Sequence, residues 1–335
     1  MKGLYKRMKI DFVIAWVDGN DEKWLLEKSK YSLVKENDQS KIRYRDWENL
    51  KYLFRGIEKY APWVNNVFFI TYGHLPSWLN VNNDKLKIIK HSDYIPEEYL
   101  PTFSANPIEL NFHKIKDLSE NFVYFNDDMF ITDYVKEEDF FKNGLPCETA
   151  ILNPVTPSGL DVMDYIFFNN TRIINKHFDK KICLKNNFFK FFNYKYGKSV
   201  LRTCMCCNWR KFLGFKFTHF PTSLKKSTYE AIWNLEYEAL HEACKNKFRS
   251  KDDYSQYLMK DWQIASGNFF PRSLKIGKFH NVSDDLKEIK KDIESNNYKL
   301  MCINDKEFDG DFEVVKNEIN SSFEKILGNK SSFEK

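Results

Sequence analysis

The sequence contains no run of about 18 consecutive apolar residues, the length that a helix needs to span a membrane. A basic opening at residues 1–7 is followed only by a short predicted strand, so we expect no signal peptide. Aromatic residues make up 17% of the 335 residues and charged residues 30%, which excludes a disordered chain. We therefore expect a folded cytoplasmic protein.

Regular cysteine spacing is also lacking. The seven cysteines are odd in number and irregularly placed, which favours a reducing compartment over a disulfide framework. Cys204, Cys206 and Cys207 lie close together, but they do not have Cys-x₂-Cys spacing and no second pair is well placed. The sequence therefore argues against a structural zinc site.

Acidic residues are absent from residues 180–229, where 12 Lys or Arg occur. Since the whole chain carries a net charge of +5, the remainder carries −7. Residues 188–198 interleave aromatic side chains with Lys, which is typical of a surface that meets an anionic membrane or a polyanionic partner. The alternative is a helical subdomain with an aromatic core and solvated Lys. No nucleic-acid-binding module is recognisable, so we expect no nucleic-acid partner.

A continuous apolar run spans residues 122–130 and is interrupted only by Asn126, Asp127 and Asp128. Such a run predicts a buried strand of a parallel sheet, and ligands of such sheets lie beyond the carboxyl ends of the strands. Two adjacent carboxylates repel each other unless a cation lies nearby. Asp127 and Asp128 therefore predict a site for Mg²⁺ (or Mn²⁺). The alternative is an Asn-Asp turn that needs no metal.

Further predicted strands at residues 10–17, 67–72 and 86–89 alternate with predicted helices. This alternation predicts an α/β, Rossmann-like fold with a mainly parallel sheet flanked by helices. We divide the chain into three parts: an α/β core at residues 1–175 that contains the predicted metal site, a basic aromatic-rich helical insertion at 176–230, and a helical region at 231–335 that completes the core.

Candidate nucleotide-binding residues follow the first strand. Asp18 and Gly19 occupy the position where α/β enzymes hold a nucleotide, although a plain Asp-Gly turn is the alternative. Arg43 and Arg45 precede a predicted helix and are suited to bind phosphate groups as bidentate donors, although each alone is also an ordinary surface charge.

A second candidate pair lies on a helix predicted from about residue 106 to 118. Glu109 and His113 are four residues apart, so we expect them to share a helix face. A carboxylate beside an imidazole suggests a general base or a group that orients a metal ligand. An exposed Glu-His pair is the alternative.

Several segments together resemble the conserved blocks of the Stealth family. They are, in chain order, Asp11–Val13, Trp16–Gly19, Arg43–Asp46, Ile57–Val64, Pro76–Leu79, Leu100–Ser104, Tyr124–Asp128, His219–Pro221, Phe248–Ser250, Cys302–Asp305 and Ser331–Glu334. Residues 151–215 fall outside the resemblance, and Trp47 departs from the common pattern, in which Asn is frequent.

The resemblance implies a sugar-1-phosphate transferase with a GT-A-like, nucleotide-sugar-binding fold and a divalent metal. Such an enzyme transfers hexose-1-phosphate from a UDP-sugar to a sugar hydroxyl of bacterial capsule or cell-surface polysaccharide and releases UMP. The resemblance places the active-site acids on Glu109 and Asp128, and the essential His and Arg on His219 and Arg249. It leaves open whether His113, His219 or Glu109 is the general base.

Two alternatives remain at this point. A GT-A-type glycosyltransferase would release UDP instead of UMP, and a non-enzymatic scaffold would use residues 180–229 to bind a membrane. For the enzyme we expect a lipid-linked or polymeric glycan acceptor. We also expect peripheral contact with the inner face of the plasma membrane.

Overall fold

A mixed five-stranded sheet organises the protein, whose computed structural model describes residues 8–32, 45–156 and 161–335. The strands in the described residues are β1 Ile10–Ala15, β2 Val67–Thr71, β3 Leu86–Lys90, β4 Asn121–Asn126, β5 Met129–Ile131, β6 Phe141–Lys142, β7 Leu145–Glu148, β8 Thr222–Lys225, β9 Phe270–Pro271, β10 Gly277–Asn281 and β11 Leu300–Asn304. The helices are α1 Glu22–Tyr31, α2 Leu50–Tyr60, α3 Ala105–Leu110, α4 Glu137–Phe140, α5 Val162–His177, α6 Lys180–Asn186, α7 Phe188–Phe191, α8 Val200–Cys206, α9 Lys226–Leu235, α10 Tyr237–Cys244, α11 Tyr257–Ala265, α12 Leu286–Glu294 and α13 Phe312–Leu327.

The main sheet has the strand order β3-β2-β1-β4-β8. The first four strands are parallel, and β8 runs antiparallel to β4. In the register of β1 with β4, Ala15 lies opposite Asn126, so the carboxyl ends of these two central strands meet at one edge. The predicted α/β fold with a mainly parallel sheet is therefore confirmed.

The side chains of the central strands point alternately to the two faces of the sheet, and each face packs in its own hydrophobic core. Val13 and Tyr124 point into the core built with α5, α9, α10 and α11. Phe12 and Phe125 point into the core built with α2, α12 and α13. Because both faces are covered, these strands need near-continuous apolar sequence, and this is why they were recognisable in the sequence.

The apolar run at residues 122–130 forms two strands in two sheets. β4 ends at Asn126, a turn follows at Asp127 and Asp128, and β5 then pairs antiparallel with β11. β11 pairs in turn with β10 in a three-stranded sheet of order β10-β11-β5. The turn therefore lies at the junction of the main sheet and this smaller sheet.

The helix predicted from residue 106 to 118 is shorter in the structure. α3 ends at Leu110, and a separate single turn of 3₁₀-helix follows at Phe112–Lys114. The Asn111 side chain donates to the Pro107 carbonyl at 2.8 Å, and such local side-chain bonding competes with continuation of the helix. The prediction that Glu109 and His113 share a helix face is therefore wrong.

The basic aromatic segment, defined here as residues 180–211, contains α6, α7 and α8. Residues 222–225, which the sequence assigned to the insertion, form β8 at the edge of the main sheet. The division of the chain at residues 175 and 230 stays a prediction. None of the helices within the described ranges combines the length and hydrophobicity that a membrane span requires.

Candidate active site

Three chain segments that are distant in sequence meet at the carboxyl edge of β4. Asp128 lies in the turn after this strand, His219 lies in the loop before β8, and Cys302 lies on β11. The His219 Nε2 atom is 3.6 Å from the Asp128 Oδ2 atom, and the Cys302 Sγ atom is 3.4 Å from the same oxygen. One donor atom of each residue lies within 4.8 Å of the others, so this cluster can hold a metal ion.

His219 is held in place on two sides. The Asn126 side-chain amide, at the end of β4, lies 3.0 Å from the His219 Nε2 atom. The buried Arg272 guanidinium donates to the Pro221 carbonyl at 3.2 Å and forms a buried ion pair with Glu148 at 3.3 Å. These contacts fix the loop that carries His219 to the edge of the main sheet.

Asp127 is solvent-accessible, yet the protein around its carboxylate desolvates it and raises its pKa to about 7. The negative charge of Asp128 is the next cause, and Asp46 and Asp305 raise the pKa further. The carboxylates of Asp128, Asp46 and Asp305 thus lie near that of Asp127, and a cation bound among them would relieve their repulsion.

The two oxygens of Asp128 have different surroundings. Oδ2 faces His219 and accepts a hydrogen bond from the Cys302 thiol, whereas Oδ1 is buried and has no hydrogen-bond partner among the described residues. Burial, followed by the charge of Asp128, raises the pKa of the Cys302 thiol well above its usual range, so the thiol stays protonated and donates. A buried carboxylate oxygen without a partner is the kind of atom that a metal ion satisfies.

Arg45 reaches the same region through Asp305, which follows β11. Its Nε atom donates to the Asp305 carboxylate at 3.0 Å, and its guanidinium lies over the rings of Phe308 and Phe312. Because Asp305 also raises the pKa of Asp127, Arg45 stands next to the acidic cluster. Arg43, the other predicted phosphate-binding arginine, lies outside the described residues.

Asp18 lies three residues beyond β1, whose carboxyl end meets that of β4. The Asp18 backbone N–H donates to the His74 Nε2 atom at 2.7 Å, and its carboxylate accepts from the Asn20 N–H at 2.8 Å. The turn that contains Asp18 and Gly19 is thereby fixed at the same edge of the sheet as Asp127 and Asp128.

Glu109 is buried beneath this edge and accepts a hydrogen bond from the Tyr124 hydroxyl at 2.9 Å. Burial raises the pKa of Glu109 to about 7, although the Tyr124 hydrogen bond and the positive charge of Arg249 both lower it. The pKa of the Tyr257 hydroxyl is raised well above its usual range by burial and then by the charges of Glu109 and Asp128. Tyr257 therefore lies close to both carboxylates and joins the two parts of the site.

The loop that carries Arg249 is organised by a buried carboxylate. Asp253 accepts hydrogen bonds from the Asn106 and Asn246 side chains at 2.8 and 2.7 Å and from the Ser250 N–H at 2.9 Å. Burial raises the pKa of both Asp253 and Glu109, and the positive charge of Arg249 lowers both, which indicates that Arg249 lies near these two acids.

His113 is not brought together with the other candidates. Its ring lies against Tyr229 and Trp233, with centroids 5.7 and 5.8 Å away, and burial lowers its pKa to about 3. Tyr229 packs against Phe122 near the start of β4, and four residues of strand separate Phe122 from Asn126, about 13 Å. His113 thus lies towards the opposite edge of the sheet from Asp128.

Sequence reasoning missed several residues of this site. Asn126 was noted only as part of a turn, and Tyr124 and Tyr257 gave no local signal because their contacts join distant segments. Cys302 and Asp305 appeared only within the Cys302–Asp305 block. That block was the available signal for both residues.

Two family models match this chain. The model of Stealth protein conserved region 2 covers residues 43–147, and that of conserved region 1 covers residues 8–33. Both regions fall where the resemblance was noted in the sequence. The resemblance of His219–Pro221, Phe248–Ser250 and Cys302–Asp305 to further conserved blocks stays a prediction.

Similar proteins with curated names align with this chain over nearly its whole length. A capsular polysaccharide phosphotransferase of Streptococcus pneumoniae is 46% identical and covers 98% of each chain. An exopolysaccharide phosphotransferase of Lactiplantibacillus plantarum is 40% identical, with coverage of 97% of this chain and 96% of the relative. A receptor polysaccharide phosphotransferase of Streptococcus gordonii is also 40% identical, and the alignment covers 97% of this chain and 99% of the relative.

A solved galactosyltransferase in complex with donor and acceptor sugar analogues superposes with a TM-score of 0.43 and 9% identity over 96% of each chain. A likeness of this size supports no conclusion about function.

Proposed function

This chain belongs to the Stealth family, and from that membership we propose that it transfers hexose-1-phosphate, such as N-acetylhexosamine-1-phosphate, from a UDP-sugar to a sugar hydroxyl. The acceptor is a lipid-linked or polymeric glycan of bacterial capsule or cell-surface polysaccharide, and UMP is released. The observation that carries the proposal is the convergence of Asp127, Asp128 and His219 at the carboxyl edge of β4.

Asp127 and Asp128 are the residues that would hold a divalent cation. Two adjacent carboxylates, one with a buried oxygen that has no hydrogen-bond partner among the described residues, fit Mg²⁺ or Mn²⁺, which prefer oxygen ligands. When bound, such a cation would neutralise charge on the diphosphate of the donor. The protonated Cys302 thiol orients Asp128 and is not a ligand for a hard cation.

The other candidate residues bind and orient the donor. Asp18 and Gly19 hold the nucleotide at the end of β1, and Arg45 binds phosphate oxygens together with Arg43, which stands two positions earlier in the sequence. Arg249 stabilises the negative charge that spreads over the phosphoryl oxygens in the transition state. The Asp253 hydrogen-bond network supports this role because it orders the loop that carries Arg249.

His219 and Glu109 are the groups suited to move the acceptor proton. His219 lies beside Asp128, so an acceptor hydroxyl near the cation would also be near its imidazole. Glu109, with a pKa of about 7, is matched to proton transfer near neutral pH and is linked to the site through Tyr257. The position of His113 gives it no part in this mechanism.

Contact with an anionic membrane would bring the enzyme to a lipid-linked acceptor. The basic aromatic segment supports such a peripheral position at the inner face of the plasma membrane, because it combines basic residues with exposed apolar side chains.

The nucleotide product tests the proposed reaction. The purified enzyme is incubated with UDP-sugars, Mg²⁺ and a glycan acceptor, and the released nucleotide is identified by chromatography. UMP is expected because the bond to the β-phosphorus breaks. UDP would instead assign the chain to the glycosyltransferases and overturn the proposal.

A substitution of Asp128 tests the site. Asp128→Asn should reduce UMP release by at least about 10²-fold while the protein remains folded by circular dichroism. Asp84→Asn is a matched control, because Asp84 is exposed and precedes β3 at the opposite edge of the sheet. Near-normal, metal-dependent transfer by Asp128→Asn would remove Asp128 from its proposed role.

A further inference from the structure

Two partly exposed phenyl rings flank His219. Phe217 is 38% exposed and its ring centroid lies 5.3 Å from that of His219, while Phe279 is 37% exposed and its centroid lies 5.9 Å away. The imidazole is nearly parallel to the Phe279 ring, at 26°, and is inclined by 66° to the Phe217 ring. Exposed aromatic surface bordered by polar catalytic groups is typical of a ligand-binding groove.

The Phe217 ring packs against two further aromatic rings. Its ring meets the Tyr257 ring edge-on at 4.9 Å and the Phe167 ring at 5.0 Å. Tyr257 is the residue that lies close to both Glu109 and Asp128. The accessible part of Phe217 is therefore fixed relative to the candidate active site.

Phe279 reaches the site from the smaller sheet. In the parallel pairing of β10 with β11 it lies opposite Cys302, and paired residues of neighbouring strands project to the same face. The Cys302 Sγ atom is 3.4 Å from Asp128, so Phe279 projects from the face that meets the acidic cluster.

We propose that Phe217 and Phe279 form the binding platform for the acceptor sugar. This inference rests on the proposed function, which requires an acceptor hydroxyl beside His219. The C–H faces of a pyranose ring are apolar and its hydroxyls lie at the rim, so a sugar that packs against these rings can present a hydroxyl to the imidazole. The donor nucleotide is assigned to the β1 side, at Asp18, which leaves the Phe217 and Phe279 side for the acceptor.

Binding of simple glycosides tests the platform without knowledge of the natural acceptor. Saturation-transfer difference NMR is recorded for the methyl glycosides of glucose, galactose and N-acetylglucosamine, with Mg²⁺ and UDP present. At least one glycoside should receive saturation at its ring C–H protons. Phe217→Ala and Phe279→Ala should each weaken its binding about fivefold to tenfold, and Phe279→Tyr should retain binding because it keeps the aromatic face.

Phe168→Ala is the matched control, because Phe168 is an exposed phenylalanine of α5 without a ring contact to His219, and it should bind as the native protein does. Absence of saturation transfer to all three glycosides, or equal transfer in the two Ala variants, would overturn the platform. The affinity for UDP, measured by calorimetry, should change less than about twofold, which is under 0.5 kcal/mol. A tenfold loss of UDP affinity would overturn the platform as well, because it would assign the rings to the uracil base.

The two proposals fail in different ways. Suppose that UMP is released but that Phe217→Ala and Phe279→Ala bind the glycosides as the native protein does. This result would overturn the platform and leave the proposed phosphotransfer standing. Release of UDP would overturn the phosphotransfer, while the glycoside measurements would still decide whether a sugar binds at these rings.

Discussion

The two carboxylate oxygens of Asp128 differ in their hydrogen bonding. Oδ2 is fixed by the Cys302 thiol and lies near His219, while the buried Oδ1 has no hydrogen-bond partner in the described part of the chain. A carboxylate that is oriented through one oxygen and unsatisfied at the other is preorganised for a cation. The cost of placing it beside Asp127 would be offset when the cation binds.

Mg²⁺ should therefore stabilise the folded protein. At a free concentration 100 times its dissociation constant, a ligand that binds only the folded state adds about 2.7 kcal/mol to the free energy of unfolding. The measurement is the thermal midpoint with and without Mg²⁺ and UDP. Asp128→Asn should lose this shift and Asp84→Asn should keep it; an equal shift in all three proteins would place the cation elsewhere.

Glu109 predicts a pH dependence of stability. Its pKa in the folded protein is about 7, against an ordinary value of 4.5 for glutamate, so the folded state holds the proton more tightly than the unfolded state. Protonated Glu109 therefore contributes to the free energy of unfolding. This contribution is fully present below about pH 4.5 and is lost as the pH rises through about 7. Because Glu109 is buried, a difference of about 2.5 pKa units corresponds to about 3 kcal/mol.

Glu109→Gln should remove the part of the fall in stability with rising pH that Glu109 causes. Relative to the native protein, the variant should gain about 3 kcal/mol in free energy of unfolding between pH 4.5 and pH 8, measured by urea denaturation. Its transfer activity should fall if Glu109 moves the acceptor proton. Glu97→Gln, which alters an exposed carboxylate, should follow the native pH dependence. Parallel curves for Glu109→Gln and the native protein would contradict the raised pKa.

Residue type and local sequence predicted part of the site. Asp127 and Asp128 were recognisable because two carboxylates end an apolar run, and His219 and Arg249 followed from the family resemblance. Tyr257 was not predictable, because its closeness to Glu109 and Asp128 depends on how α11 packs beneath the sheet. His113 was placed with Glu109 because helical spacing was assumed beyond Asn111, where the structure ends the helix.

At the scale of elements, buried strands were the easiest feature to predict. β1, β2 and β4 are covered on both faces, so nearly every residue is apolar and the pattern is evident in sequence. The pairing of β5 with β11 was not predictable, since about 170 residues separate them and no local pattern selects the partner. This pairing is what brings Cys302 to Asp128.

The basic aromatic segment divides its aromatic residues between core and surface. Phe191 and Tyr196 are buried, whereas Phe189 is 82% exposed and Tyr194 is 87% exposed. Further exposed apolar side chains of the segment are Ile182, Phe188, Leu201, Met205 and Trp209. Neither alternative from the sequence describes this segment completely, because some rings are buried in the core and others are exposed.

Point substitutions can test membrane contact without removing the buried rings. The double variant Phe189→Ala, Tyr194→Ala should partition about tenfold less to phosphatidylglycerol vesicles, because each apolar side chain that inserts contributes up to about 1.5–3 kcal/mol. Sedimentation with vesicles measures this, and high salt should weaken binding of the native protein. Leu26→Ala, at an exposed apolar residue of α1, should not change the partition. Unchanged sedimentation of the double variant would exclude the segment as a membrane contact.

At the scale of the whole molecule, residues 331–335 pack against the core beneath α2. The pentamer Ser-Ser-Phe-Glu-Lys occurs at residues 321–325 and again at 331–335. Both phenylalanines are buried in the same core, and both glutamates pair with Arg55, at 3.0 Å for Glu324 and 2.8 Å for Glu334. The repeated pentamer therefore marks two segments that converge on one buried guanidinium.

The last five residues should consequently be required for stability. Phe333 is 2% exposed and lies 5.4 Å from the Phe54 ring, so Phe333→Ala should cost about 3–5 kcal/mol by urea denaturation. Deletion of residues 331–335 would also leave the buried Arg55 without Glu334, and the combined loss approaches the total stability of a typical domain, about 5–15 kcal/mol. Lys335→Ala, at an exposed side chain, should change stability by less than about 0.5 kcal/mol. If Phe333→Ala unfolds at the native urea midpoint, burial of the Phe333 ring does not contribute to the stability of the core.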